Sequence, residues 1–157
     1  MIYLDNAATT APTSEAVEFA NKYLEKYFNP SALYREGLEV SSFIKEARDY
    51  ISASVGGSKF DCLFTSGGTE ADNTAIFSFA KRGNAVTTLG EHSAVFEPFK
   101  HLPQGVETRF AALLPDGSVK VADLFSKIDE KTSFVSVVHV NNETGAINDI
   151  NAIAEEV

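Results

Sequence analysis

Residues 62–80 read CLFTSGGTEADNTAIFSFA, and their reading decides the fold. Cys62-Leu63-Phe64-Thr65 is a short apolar run of strand character, Gly67-Gly68 is a turn, and Thr69 to Ala80 carries a helical pattern. The same alternation continues toward the C-terminus. Ala85 to Leu89 reads as the next strand and His92 to about His101 as the next helix. Val106 to Leu114 is a third strand, closed by the turn signal Pro115-Asp116-Gly117 and followed by a helical segment from Val121 to Ile128. Phe134 to Val140, FVSVVHV, is rich in β-branched residues and reads as a central strand. A last helix begins near Ile150 and is still running at Val157. Strands alternating with helices predict an α/β fold with a parallel sheet and right-handed crossovers.

Upstream the pattern differs. Residues 1–12, beginning MIYLDNAATT, read as an extended N-terminal segment, and 13–157 as one domain of ordinary size or the N-terminal part of a larger one. Thr13 or Ser14 can cap a helix whose apolar positions are Val17, Ala20, Tyr23, Leu24 and Tyr27, and Asn29-Pro30-Ser31 ends it. A second helix from about Leu33 to Ser54 places Val40, Phe43, Ile44, Ala47 and Ile51 on one stripe, and Gly56-Gly57 stops it.

Composition bounds the function. The chain has 157 residues, 44% of them hydrophobic and 22% charged, which is globular composition and enough for a real core. Lys and Arg number 13 against 22 Asp and Glu, a net charge of −9, with no basic cluster to neutralise phosphates, so nucleic acid is not an expected partner. No apolar run approaches the roughly 20 residues that cross a bilayer, and Met1 leads into no signal peptide. A lone cysteine, Cys62, suits a reducing compartment, and the cytoplasm is the expected location. The final residues, AIAEEV, carry no stop signal, so the chain reads as a fragment cut inside a helix.

In open parallel sheets ligands bind beyond the carboxyl ends of the strands. The three segments there are Ser66 to Asn73, Gly90-Glu91-His92-Ser93 and Asn141-Asn142-Glu143-Thr144-Gly145, a polar mouth rich in glycine and hydrogen-bonding groups. Gly67 and Gly68 let the backbone approach an anion, the following helix aims its free N–H groups at the same point, and Thr69 adds a hydroxyl. On spacing alone this is either a phosphate cradle or a capped strand-to-helix turn. His92 is either a helix-terminal surface residue or a proton carrier, and Asn141-Asn142 by itself is a turn former. His139 is expected to pack within its strand, Cys62 in the core and His101 in a loop. No set of His, Cys, Asp and Glu has metal-ligand spacing, so no metal is expected.

Taken together, Tyr3 to Thr10, Asn29-Pro30-Ser31, Phe64 to Asn73, Glu91 to Val95 and His139 to Gly145 resemble the cysteine desulfurases, pyridoxal-phosphate enzymes of the class V aminotransferase group. Five motifs in the family's order span essentially the whole chain. The resemblance implies the large domain of a type I pyridoxal-phosphate enzyme, a three-layer structure with helices on both faces of a mostly parallel sheet. It implies pyridoxal 5'-phosphate as cofactor, with Gly68 and Thr69 holding its phosphate. His92 would stack on the ring as the catalytic proton shuttle, and Asn142 would contact the ring's hydroxyl oxygen. It further implies L-cysteine as substrate, alanine and an enzyme persulfide as products, a sulfur-acceptor or scaffold protein of iron–sulfur cluster assembly as partner, and a homodimer when full length.

The chain departs from the family in one motif, having Leu33-Tyr34-Arg35 where a histidine is frequent, a difference that concerns substrate contacts. The family's Schiff-base lysine, ring-nitrogen aspartate and persulfide cysteine lie beyond the matched stretch. None of the nine lysines, Lys22 to Lys131, sits in a comparable context. By this reading the chain alone does not catalyse desulfuration, and it leaves apolar faces and a sheet edge uncovered. Two alternatives stand beside it. One is a selenocysteine lyase or other class V enzyme. The other is a non-enzymatic binding or assembly protein, which the uncapped last helix argues against.

Overall fold

The computed structural model describes residues 2–157. The chain divides into two compact units, Met1–Phe64 and Thr65–Val157.

The first unit is a helical pair preceded by extended chain. Its lead-in carries one turn, where the Ala8 N–H donates to the Asp5 carbonyl at 3.2 Å. Helix α1 runs Ser14–Leu24, with the Thr13 hydroxyl accepting from the Ala16 N–H at 3.2 Å as its cap. It stops one turn short of Tyr27, whose side chain is exposed and gains nothing by extending the stripe. Helix α2 spans Arg35–Ser54, starting two residues later than the pattern suggests. The Asn29-Pro30-Ser31 turn is pinned by Asn29 Oδ1, which accepts from the Ser31 N–H at 2.8 Å. This turn packs so closely on α2 that a Cβ at Gly37 would lie 2.7 Å from the carbonyl oxygens of both Asn29 and Ala32. Only glycine fits there. The two helices join through aromatic side chains, with Tyr23 stacked on Phe43 at 4.3 Å between ring centroids. Helix α2 ends in a paired-bond motif: Gly57 N–H reaches Ser52 O at 2.7 Å and Gly56 N–H reaches Ala53 O at 3.1 Å. Gly56 takes the left-handed φ of +74° that this stop requires.

The expected strand at Cys62–Thr65 does not form. Leu63 and Phe64 are exposed, and no strand among the described residues offers this segment a ladder. An apolar run becomes a strand only when a neighbour takes its N–H and C=O groups.

The second unit is the α/β part. Its elements are α3 (Gly68–Phe79), β1 (Asn84–Thr88), α4 (Ser93–Lys100), β2 (Glu107–Ala111), α5 (Val121–Ser126), β3 (Thr132–Val135) and α6 (Ile150–Glu156). All strand pairs are parallel and the order is β2-β1-β3, so β1 is central and buried along its whole length. Successive side chains of a strand face opposite ways, and each strand here serves two cores. Ala85, Phe110 and Phe134 turn to one side with Ile76, Ala80 and Phe99, while Val86, Ala111 and Val135 turn to the other with Val119, Leu124 and Ile153. Helices α3 and α4 therefore cover one face and α5 and α6 the opposite one, giving three layers. Each fully buried aliphatic or phenyl side chain in these cores contributes about 1.5–3 kcal/mol.

Two of the strands, the second and the third, are shorter than the sequence pattern. The second ends at Ala111 rather than Leu114, because the next N–H, of Ala112, is taken by the Asp123 carboxylate at 2.7 Å. The chain then forms a small hairpin bridged at Leu113 and Val119, with Gly117 at φ +87° in its turn. The third strand covers 132–135 and not 134–140. Its last ladder bond is Ser136 N–H to Val86 O at 2.9 Å, and the end of the β-branched run 137–140 pairs antiparallel instead, bridged at Val140 and Ile147.

Candidate functional site

Beyond the carboxyl ends of β1 and β3 two turns meet. Strand β1 turns at Leu89–His92, and the segment after β3 turns at Asn141–Gly145, closed by Gly145 N–H to Asn141 O at 2.9 Å. Side chains tie one turn to the other. Glu91 Oε1 accepts from the Thr88 hydroxyl at 2.8 Å and from the Val138 N–H at 2.8 Å. Asn141, buried, accepts at Oδ1 from the N–H groups of Glu143 and Thr144, at 2.9 and 2.8 Å, and donates from Nδ2 to the Gly90 carbonyl at 2.8 Å. Burial pushes the Glu91 carboxyl above its ordinary range; the bonds from Val138 and Thr88 oppose that shift, and the charge of Asp72 on α3 adds to it. Asp72 lies one turn after Thr69, so the start of α3 belongs to the same neighbourhood.

His92 is the N-cap of α4. Its Nδ1 accepts from the Ala94 N–H at 3.1 Å while the residue as a whole is exposed. A nitrogen that accepts cannot carry a proton, so the neutral ring holds its hydrogen on Nε2. The helix begins at Ser93, one residue after the expected start, because His92 has extended backbone and caps from outside. Asn142 sits exposed in the turn that Asn141 organises. The two asparagines thus divide the work: Asn141 is the turn former, and Asn142 is left available to a ligand.

The N-terminus of α3 is an open cradle. Gly67 caps it in extended conformation without a side-chain bond, and the first helical bond is Ala71 N–H to Gly67 O at 3.2 Å. The N–H groups of Gly68, Thr69 and Glu70 therefore precede the ladder and point outward. The Ser66 N–H is already taken by the Glu70 carboxylate at 2.7 Å, a bond that holds the Glu70 carboxyl below its ordinary value. A Cβ built on Gly67 or Gly68 meets no atom within 4 Å, so their missing side chains leave free volume over the donors. That volume, the unpaired N–H groups and the helix dipole fit a phosphate dianion.

The remaining expectations fall outside this arrangement. His139 is exposed and does not pack in a strand, since the ladder has ended before it. His101 caps the end of α4, and Cys62 is half-buried. Among the described residues no three His, Cys, Asp or Glu side chains are placed to hold a metal ion, and no helix is long and apolar enough to cross a membrane. Two residues were not singled out by the sequence reading of single positions, Glu91 and the separate duty of Asn141. The one local signal was an acidic residue between a buried strand and a histidine at a strand's carboxyl end.

This chain has counterparts in sequence and fold among known proteins. The pattern of the class V aminotransferases matches residues 2–157. A cysteine desulfurase, IscS, of Dictyoglomus turgidum is 36% identical over 161 residues, covering 98% of this chain and 41% of that protein. A selenocysteine lyase of Xenopus tropicalis is 33% identical over 175 residues, covering 98% of this chain and 41% of that protein. A solved NifS-like protein superposes with a TM-score of 0.91 at 32% identity, over 99% of this chain and 45% of that one. The chain belongs to the class V aminotransferase family, whose members depend on pyridoxal phosphate. It spans about two-fifths of the length of the curated relatives it matches.

Proposed function

We propose that this chain is the N-terminal, cofactor-phosphate-binding part of a cysteine desulfurase, which converts L-cysteine to L-alanine and passes the sulfur on as a persulfide. The observation that carries the reading is the open cradle at α3 beside the tied turns bearing His92 and Asn142, in a class V chain. Pyridoxal 5'-phosphate, when bound, supplies an electron sink for bonds broken at the amino acid's α-carbon. The protein's own groups do the rest. Gly68 and Thr69 hold the phosphate through backbone N–H groups and the threonine hydroxyl. His92, its Nδ1 engaged by Ala94, offers a flat face for stacking and Nε2 as the atom that holds or hands over a proton. Asn142 presents its amide to the ring's hydroxyl oxygen.

The anchoring lysine and the persulfide cysteine of the family belong to stretches outside the matched part, and half-buried Cys62 does not replace the latter. The chain alone is therefore inactive in this reading, and the first dozen residues lead into the large domain. L-Cysteine is its substrate and a sulfur-acceptor or scaffold protein its partner. The whole enzyme is a cytoplasmic homodimer. The similarity to a selenocysteine lyase supports a second reading, with selenocysteine as the preferred substrate.

The test is to add pyridoxal phosphate to the purified chain, reduce with borohydride and record the intact mass. No stoichiometric adduct, together with phosphate-dependent shifts of the Gly68 and Thr69 amide resonances, is the expected result. A single stoichiometric adduct on one lysine would overturn the incompleteness, and silent Gly68 and Thr69 resonances would overturn the cradle. In the full-length enzyme, alanine formed from L-cysteine supports the desulfurase. Turnover confined to selenocysteine replaces it with the lyase.

A further inference from the structure

We infer that Glu91 and Asn141 are positioning residues that fasten the β1–α4 turn to the segment that runs from Val138 through the Asn141–Gly145 turn, and so hold His92 and Asn142 in a set relation. The inference rests on the reading of those two residues as cofactor contacts, but its physical content is independent of the cofactor. The sheet holds the start of the first turn through Leu89 N–H to Ala111 O at 3.0 Å, and a short antiparallel pairing bridged at Val140 and Ile147 closes the second. The ladder between β1 and β3 ends at the Ser136–Val86 bond, so that ladder does not join the two turns to each other. Glu91 joins the turns where that ladder stops: one oxygen, Oε1, receives both the Thr88 hydroxyl and the Val138 N–H, at 2.8 Å each. Asn141 makes the reciprocal tie from the other turn, donating to Gly90 O at 2.8 Å while its Oδ1 shapes the loop that presents Asn142. The fit is close on the Gly90 side, where an added Cβ would lie 3.0 Å from Leu113 Cδ1. His92 follows directly on Glu91, and Asn142 directly on Asn141, so each stands next to an anchored residue.

Two features separate this role from bulk stability. Both bonds to Glu91 go to one oxygen, so a glutamine carbonyl can accept them and the charge is dispensable. Asn141 uses its oxygen within its own turn and its nitrogen across to the other, so aspartate keeps the first function and loses the second.

The experiment compares Glu91→Ala, Glu91→Gln and Asn141→Asp in the full-length protein, reading amide hydrogen exchange and pyridoxal-phosphate affinity. In Glu91→Ala the Val138 N–H is expected to exchange at least about tenfold faster while Val86 is unchanged, and affinity to fall about tenfold. Glu91→Gln is expected to restore both to within about threefold, the rescue that a need for the carboxylate charge would forbid. Asn141→Asp is expected to keep the Glu143 and Thr144 amides protected yet weaken the cofactor. Wild-type affinity in Glu91→Ala or in Asn141→Asp, or a glutamine variant as weak as alanine, overturns the inference. Should Glu91→Ala not fold, the glutamine and aspartate variants decide it alone. If the wild-type protein binds no pyridoxal phosphate, the proposed function fails, and the exchange data still judge the tie.

Discussion

Substituting Gly68 by valine should separate ligand binding from folding at the cradle. A Cβ at this position meets no atom within 4 Å, so the side chain has room and no packing is disturbed. Gly68 is the first residue of α3, and valine is a better helix former than glycine by a few tenths of a kcal/mol. Stability should therefore stay within about 0.5 kcal/mol of wild type, a shift of roughly 1–2 °C in Tm. Binding should not survive as well. Helical Cα–Cβ bonds tilt toward the N-terminus, which sends the new methyls over the N–H groups of Gly68 and Thr69. A hydrogen bond to a charged oxygen contributes about 1.5–3 kcal/mol, and losing one near 2 kcal/mol weakens the phosphate's hold roughly 30-fold. Titration of the full-length protein with pyridoxal phosphate, followed by cofactor absorbance, measures this beside a thermal melt. An affinity within about threefold of wild type refutes the cradle. A Tm lowered by more than about 4 °C refutes the open space on which the reasoning depends.

Three further outcomes are expected. His92→Asn should fold like wild type, since asparagine caps as well, while His92→Ala loses about 1 kcal/mol; in both, alanine formation from L-cysteine should fall about 10²–10⁴-fold, and an asparagine variant with normal turnover removes His92 from proton transfer. Phe99→Ala empties a fully buried site stacked 6.0 Å from Phe134, so urea denaturation should show a loss of about 3–5 kcal/mol, and a loss under 1 kcal/mol would contradict this core. Asp129 is held at about 2, below its ordinary 3.8, first by the Arg109 guanidinium and then by the Asn84 amide and the Lys131 N–H. A carboxyl with a lowered folded value stabilises the fold above its unfolded value and loses that contribution as pH falls toward about 2, so Asp129→Asn should make Tm less steep between pH 4 and 2, and an unchanged slope would dismiss the network's role.

The sequence by itself determined what depends on neighbours along the chain. Apolar strands set between amphipathic helices specify a parallel α/β unit, and Gly67-Gly68 before Thr69 marks where a helix begins with free donors. Residues that follow strand ends, among them His92 and Asn142, fall on the sheet's carboxyl edge because parallel topology puts every such turn on one side. The tertiary structure alone decided which apolar runs become strands. Cys62–Thr65 stays unpaired, and the run 137–140 leaves the parallel ladder for an antiparallel bridge at Val140 and Ile147, although both carry strand composition, because pairing is set by which backbone lies alongside. It also decided the duties of Glu91 and Asn141, whose partners Val138 and Gly90 lie 47 and 51 residues away in sequence. Local pattern carries periodicity and turn chemistry; it does not carry pairing across such a separation, which is set when the two strand ends come to lie side by side.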